Sequence, residues 1–213
     1  MRALVTGFEP FGGESINSSY EAVRRLPARI GLLDVTTAQL PTSYRRALPA
    51  LEREIARVKP DIVLCVGQAN ERTNLNIERV AINLQDARIA DNDGAQPVDL
   101  PVVAGAPAAY FATLPVTAIA DALRAAGLAA EISNSAGTFV CNHVFYGLMH
   151  LAAGGGNYRG GFLHVPSLQR QSTQAGGAAP MALDDIVRGI VIALEVSDAK
   201  NNRPTRRSAE ENL

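Results

Sequence analysis

An α/β domain is the fold class the sequence predicts, and three observations predict it. Short β-branched runs such as DIVLCV alternate along the chain with longer stretches whose apolar residues recur at helical spacing. The 213 residues, 47% of them apolar, can bury one large core. There is also no internal repeat that would point to a solenoid or propeller.

Taken in order, Ala3 to Phe8 reads as a first strand that ends in the loop EPFGGESIN. Asn17 or Ser18 caps a helix through Arg25, whose inward residues are Ala22, Val23 and Leu26. Asp34 to Leu40 alternates as a second strand. Thr42 caps a helical segment through Val58, which Pro49 should kink or split. Asp61 to Val66 is continuously apolar after its first residue, as a strand buried on both faces requires. Leu75 to Leu84 forms a further strand. Residues 85–109 show no period and are expected to make a long surface excursion, a length that often carries function. Val116 to Ala126 is a helix closed by Gly127, Ala129 to Asn134 a strand and Thr138 to Ala153 a helix. Gly161 to Val165 is a strand and Ala182 to Val196 the last helix. The domain is therefore expected over residues 1–196, with 197–213 a polar, mobile tail.

Composition narrows the function. With Lys+Arg 20 against Asp+Glu 21, the net charge of -1 gives no general footprint for nucleic acid or an anionic membrane. The longest apolar run, Ile186 to Val196, is broken by Arg188 and Glu195 and falls short of the roughly 20 residues that span a bilayer. The start MRALVTGFEP lacks a secretory h-region, and Cys65 and Cys141 alone make no disulfide framework, so a cytoplasmic location is expected. No Cys or His cluster has metal-ligand spacing, and Asp91-Asn92-Asp93-Gly94 is read as a turn. The loop GFEPFGGE is not a phosphate loop, because Gly13 and Glu14 stand where lysine and a hydroxyl residue would be needed. Phe8 and Phe11, which bracket it, are either core residues or the walls of a small apolar pocket.

The stretch SNSAGTFVCNHVFYGLMH carries the chemistry. A strand runs through Ala136-Gly137 into a helix, which places Cys141 in the first turn. Free N–H groups and the positive dipole end there should lower a thiol pKa, although a cysteine so placed can equally be a structural apolar group. His143 lies two residues on, about 200° around the helix. His150 lies nine residues on, about 180° around and roughly 13 Å along the axis. Neither can take the Cys141 proton, which leaves His164 near the end of the strand GFLHV. A Cys–His pair needs a polar group to orient the imidazole. Glu78, on the face shared with Val80 and Ile82, is either that group or an edge-strand surface residue. Cys65, inside DIVLCVG, is read as a buried structural thiol.

At this point the chain resembles the pyroglutamyl peptidase I (pyrrolidone-carboxylate peptidase) family of cysteine peptidases over roughly residues 1–196. The resemblance rests on VTGFEPFGG, IERVAINLQDARIADNDG, SNSAGTFVCNHVFYGLMH and GGFLHVP, in that order. It implies a single three-layer α/β/α domain around a central mixed, mostly parallel sheet. It also implies removal of an N-terminal pyroglutamyl residue from peptides, with Cys141 as nucleophile, His164 as base and acid, and Glu78 as orienter. Arg88 falls on the family's oxyanion region, while Gln68 and Asn17 match polar groups near the substrate. Phe8, Phe11, Thr42, Ile89, Phe139 and Val140 match the apolar pocket for the lactam ring. No metal or organic cofactor is implied, and the family commonly forms homotetramers. The sequence departs from the family's pattern in INSSY, at Asn70 and Glu71, at Ala90 and in HVPSLQRQ, without losing a proposed catalytic group. The competing readings are a thiol hydrolase acting on another small amide and a non-catalytic small-ligand binding protein. A nucleoside phosphorylase would need a phosphate site that the sequence does not show.

Overall fold

A computed structural model describes residues 1–168 and 179–199. The end of HVPSLQRQ and residues 200–213 lie outside the described residues.

A seven-stranded sheet forms the middle layer. Its strands are β1 (Arg2–Phe8), β2 (Arg29–Ile30), β3 (Leu33–Leu40), β4 (Ile62–Gln68), β5 (Leu75–Glu78), β8 (Ala130–Ser133) and β9 (Arg159–Val165), in the spatial order β2-β3-β1-β4-β9-β5-β8. Four of its six pairings are parallel, and β2–β3 and β5–β9 are antiparallel, so the sheet is mixed and mostly parallel as expected. A separate antiparallel pair joins β6 (Val80–Ile82) to β7 (Ala109–Phe111).

Alternation along each central strand divides the core in two. Ala3 and Val5, Ile62, Leu64 and Val66, and Leu163 and Val165 face a cluster closed by α1 (Ser18–Val23), α3 (Val116–Ala125) and α5 (Leu183–Ala199). Leu4, Val63, Cys65 and Phe162 face the opposite cluster, closed by α2 (Ala47–Val58) and α4 (Val140–Ala153). This is the three-layer arrangement the sequence implies.

Five local expectations are corrected. The strand expected over 75–84 breaks at Arg79: β5 stays in the main sheet, while Arg79 donates its N–H to the Ser133 carbonyl and the chain leaves as β6. Helix α2 starts at Ala47 rather than after Thr42, so Pro49 sits in its first turn. No intrahelical acceptor is missed there, and the helix is neither kinked nor split. Strands β2 and β7 are too short to leave a periodic signal. Helix α1 ends at Val23 rather than Arg25. Helix α5 continues to Ala199, with Ser197 fully buried and its carbonyl accepting from Arg159, so 197–199 belong to the packed domain.

Asn17 caps α1 as expected, its Oδ1 accepting the Ser19 N–H at 3.0 Å. This helix start lies directly on β1. A Cβ built on Gly7 would meet the Tyr20 backbone at 2.7 Å and the Ser19 carbonyl carbon at 2.9 Å. The first glycine of GFEPFGG therefore serves helix–strand approach. Gly7→Ala is expected to destabilise the fold by about 2 kcal/mol or more, because backbone cannot yield as a side-chain tip can. Gly154→Ala, whose nearest neighbours stand at 3.5 and 3.6 Å, serves as the neutral control. Denaturant midpoints of the two variants check this, and equal midpoints would refute it.

Candidate active site

The parallel strands β1, β4 and β9 end side by side, and a cavity of about 640 Å³ opens beyond those ends. Such carboxyl-end crevices are where open α/β sheets place their ligands. Ladder register sets the floor of this cavity. Gly67 stands opposite His164 on one side and Asn76 opposite it on the other, while Phe162 is flanked by Cys65 and Glu78. Cross-strand partners share a face, and residues two apart share it too. His164 and Glu78 therefore project to the same face, the one covered by α4.

Glu78 is fully buried, and its Oε1 lies 2.8 Å from His164 Nδ1. A carboxylate can only accept, so Nδ1 carries the hydrogen and Nε2 is left as a base. The reading of Glu78 as an edge-strand surface residue is excluded. It shares its face with Phe162 and His164 of β9 and with Ser133 of β8, whereas Val80 and Ile82 belong to the other sheet.

Cys141 is the second residue of α4, behind the helix cap Phe139 and Val140. The chain reaches this helix through Gly137, at φ +75°, a left-handed conformation that glycine adopts without strain. A Cβ on Gly67 would lie 2.9 Å from Cys141 Sγ and 2.8 Å from the Phe162 ring. Only hydrogen at position 67 lets the thiol settle on the sheet beside His164. Burial, with the Glu78 carboxylate adding to it, pushes the Cys141 thiol up to about 12. The expected lowering by the helix start is thus outweighed: the low-dielectric setting and a nearby negative charge both oppose thiolate formation. The resting sulfur is a thiol that needs a base.

His143 and His150 play packing roles. His143 is buried edge-on to Tyr44, at 5.3 Å between ring centres, and burial lowers it to about 4. His150 accepts or donates at Nδ1 to the Tyr110 hydroxyl at 3.0 Å. Cys65 is fully buried and likewise pushed up to about 12 by burial. Asp91 forms the expected turn, its Oδ1 accepting the N–H groups of Asp93 and Ala95.

Phe8, Phe11, Asn17, Thr42, Gln68, Arg88, Ile89, Phe139, Val140, Cys141 and His164 all line the one cavity, and Glu78 lies behind His164. The Phe11 and Phe139 rings stand 6.1 Å apart as a wall, and Tyr44 meets Phe139 edge-on at 5.7 Å. Phe8 instead packs inward against Phe162 and shows the cavity little of its ring. The two amides are already engaged. Gln68 Oε1 accepts the Ser18 N–H at 2.6 Å, and Asn17 Nδ2 donates to the Glu9 carbonyl at 3.0 Å. The Arg88 guanidinium is exposed and forms no hydrogen bond or ion pair among the described residues.

Arg72, Gly67, Tyr44 and the loop Ser135–Thr138 also belong to the site and were not foreseen. Arg72 had a legible signal: a carboxylate on an apolar strand needs a cation, and Arg79 is excluded because it faces the other way.

A family model described as pyroglutamyl peptidase matches residues 1–200. The pyrrolidone-carboxylate peptidase 1 of Ralstonia nicotianae is 53% identical over 196 residues, 91% of each chain. The pyrrolidone-carboxylate peptidase of Gloeobacter violaceus is 50% identical over 203 residues, 95% of this chain and 99% of that protein. Among solved structures, pyroglutamyl peptidase I of Bacillus amyloliquefaciens matches at TM-score 0.90 and 43% identity, covering 93% of this chain and 97% of its own. Pyrrolidone carboxyl peptidase of Thermococcus litoralis matches at TM-score 0.91 and 39% identity, covering 95% of this chain and 96% of its own.

Alkylation tests the state of the thiol. Iodoacetamide is expected to label Cys141 and spare Cys65. A thiol raised to about 12 has a thiolate fraction that grows about tenfold per pH unit, so the rate should climb steadily from pH 6 to 9. A rate that levels off below pH 8 would show a lowered pKa and reverse the sign.

Proposed function

The chain belongs to the pyroglutamyl peptidase family of cysteine exopeptidases, which remove an N-terminal pyroglutamyl residue from peptides, and on that premise we propose how its own residues divide the work. The observation that carries the assignment is His164, hydrogen-bonded to the buried Glu78 and lining the same cavity as Cys141.

Cys141 attacks the pyroglutamyl carbonyl carbon through Sγ as its proton passes to His164 Nε2. The Glu78 carboxylate stabilises the imidazolium that forms and holds the ring in place. Negative charge gathers on the carbonyl oxygen. The first-turn N–H groups of α4 can receive it, because Phe139 caps the helix without a side-chain hydrogen bond and leaves them uncapped. Arg88, on the same cavity wall, adds positive charge. Collapse breaks the C–N bond, His164 returns its proton to the leaving amine, and a thioester remains. Water, deprotonated by His164, cleaves the thioester to free pyroglutamate and restores the thiol.

The walls fit this substrate. A flat, uncharged lactam suits the aromatic and aliphatic surface of Phe11, Phe139, Val140 and Ile89, to which Phe8 and Thr42 add the inner edge. Asn17 Nδ2 spends one N–H on the Glu9 carbonyl and has a second for the lactam carbonyl, while Gln68, engaged at both ends of its amide, shapes the wall beside it. Proline has the ring but not the second carbonyl, so it would leave site groups unpaired. The charged amine of an ordinary N-terminus would be poorly desolvated there. Cytoplasmic location and homotetrameric assembly complete the proposal. No helix among the described residues is long and apolar enough to cross a membrane. Val98, Leu100 and Phe111 hold large apolar side chains in solvent, as a subunit contact would use.

A fluorogenic pyroglutamyl amide should be hydrolysed, while prolyl and glutaminyl amides are left nearly untouched. Equal hydrolysis of the prolyl amide would sink the proposed specificity. Cys141→Ser should lower kcat by about 10³-fold or more, whereas Cys65→Ser stays active. Glu78→Gln, which keeps the shape and removes the charge, should lower kcat by about 10²- to 10⁴-fold in a folded protein. Unchanged turnover would remove Glu78 from the mechanism.

A further inference from the structure

Glu78 poses a problem that His164 alone does not solve. Its carboxylate is fully buried, and a neutral imidazole offers one hydrogen bond but no charge. A carboxylate in that setting takes up a proton unless a cation stands beside it. Arg72 Nη1 lies 2.8 Å from Glu78 Oε1, the same oxygen that meets His164 Nδ1, while Oε2 is buried without a hydrogen-bond partner. The second prong of the same guanidinium, Nη2, donates to the Ser135 carbonyl at 2.9 Å. Ser135 begins the loop that leads through Gly137 into α4 and Cys141. One planar side chain thus joins the orienting carboxylate to the loop that delivers the nucleophile.

Topology explains how Arg72 comes to be there. The loop between Gln68 and Leu75 crosses the end of β9, where Ala69 N–H donates to the Val165 carbonyl, and β5 then runs back antiparallel. The start of β5 lies where its antiparallel neighbour β9 ends, so the residues ahead of it, Asn70 to Arg72, line the active-site cavity. The titratable and charged groups facing Glu78 are His164 from β9, Arg72 from this loop and Cys141 from α4.

We propose that Arg72 is a positioning residue for the reaction: it keeps Glu78 ionised so that His164 is held as a base, and it ties that pair to the 135–138 loop. The proposal rests on the Cys141–His164–Glu78 reading given above. Arg72→Met should lower kcat by about 10²-fold at pH 7, with KM changed far less. It should also move the acidic limb of the kcat profile up by about one pH unit or more, so that activity partly returns in alkali. In a Glu78→Gln background the same change should add less than about threefold, because the two residues act through one contact. Arg72→Lys keeps the charge without the two-pronged reach, so its acidic limb should stay in place while kcat falls severalfold. If the methionine variant does not fold, the lysine variant alone decides: a displaced acidic limb or an undiminished kcat overturns the proposal. An Arg72→Met enzyme with wild-type kcat and pH profile also overturns it. Cys141→Ala, measured alongside, separates the two levels. If it is active, the nucleophile reading itself falls; if it is dead while Arg72→Met is normal, only the role of Arg72 falls.

Discussion

The Glu78 carboxyl group, buried with no exposed surface, is the constraint around which this molecule is arranged. An ion in that position is tolerated only with partners on hand, and each partner imposes a demand on the fold. His164 must stand two residues beyond the point where β9 faces Glu78, which fixes the antiparallel register of β5 against β9. Arg72 must arrive from above, which needs a loop over the end of β9 and hence a reversed strand in a mostly parallel sheet. Cys141 must lie close over β4, which needs glycine at position 67. The mixed sheet is thus part of the chemistry as well as of the architecture.

Burial first, and the same carboxyl group second, push the thiol toward its protonated form. Helix position alone favours a thiolate at Cys141, but burial and the nearby carboxylate act the other way and prevail. Turning the pair productive then depends on where charge can go during attack. The first turn of α4, capped by an apolar Phe139 and so short of acceptors for its N–H groups, offers a destination.

Features governed by local rules were legible in the sequence. Asn17 as a helix cap, Cys141 in a first helical turn, the elimination of His143 and His150 by helical rotation, and the turn at Asp91 all follow from a few adjacent residues. What failed depended on distant partners. LNIERVAINL alternates without a break, and nothing in it marks the exchange of sheets at Arg79, because that exchange is set by Ser133 and by β7. Pro49 is a breaker only for a helix that starts after Thr42; with the start four residues later it is a suitable first-turn residue. Strand β2, two residues long, has no pattern to read. For the Cys141 thiol a local reading contains only the helix start, whereas burial first, and then a carboxylate more than sixty positions away, set the direction of its pKa.

The two amides that line the pocket also hold the start of α1: Asn17 from within as its cap, and Gln68 from β4 through the Ser18 N–H. Polar atoms that line the pocket therefore already serve the fold. A lineage exploring new ring sizes cannot change these amides freely, since each exchange also loosens a helix packed against the backbone of β1. Such an enzyme diversifies more readily at exposed rim positions such as Glu71 and Asp86 than at its floor.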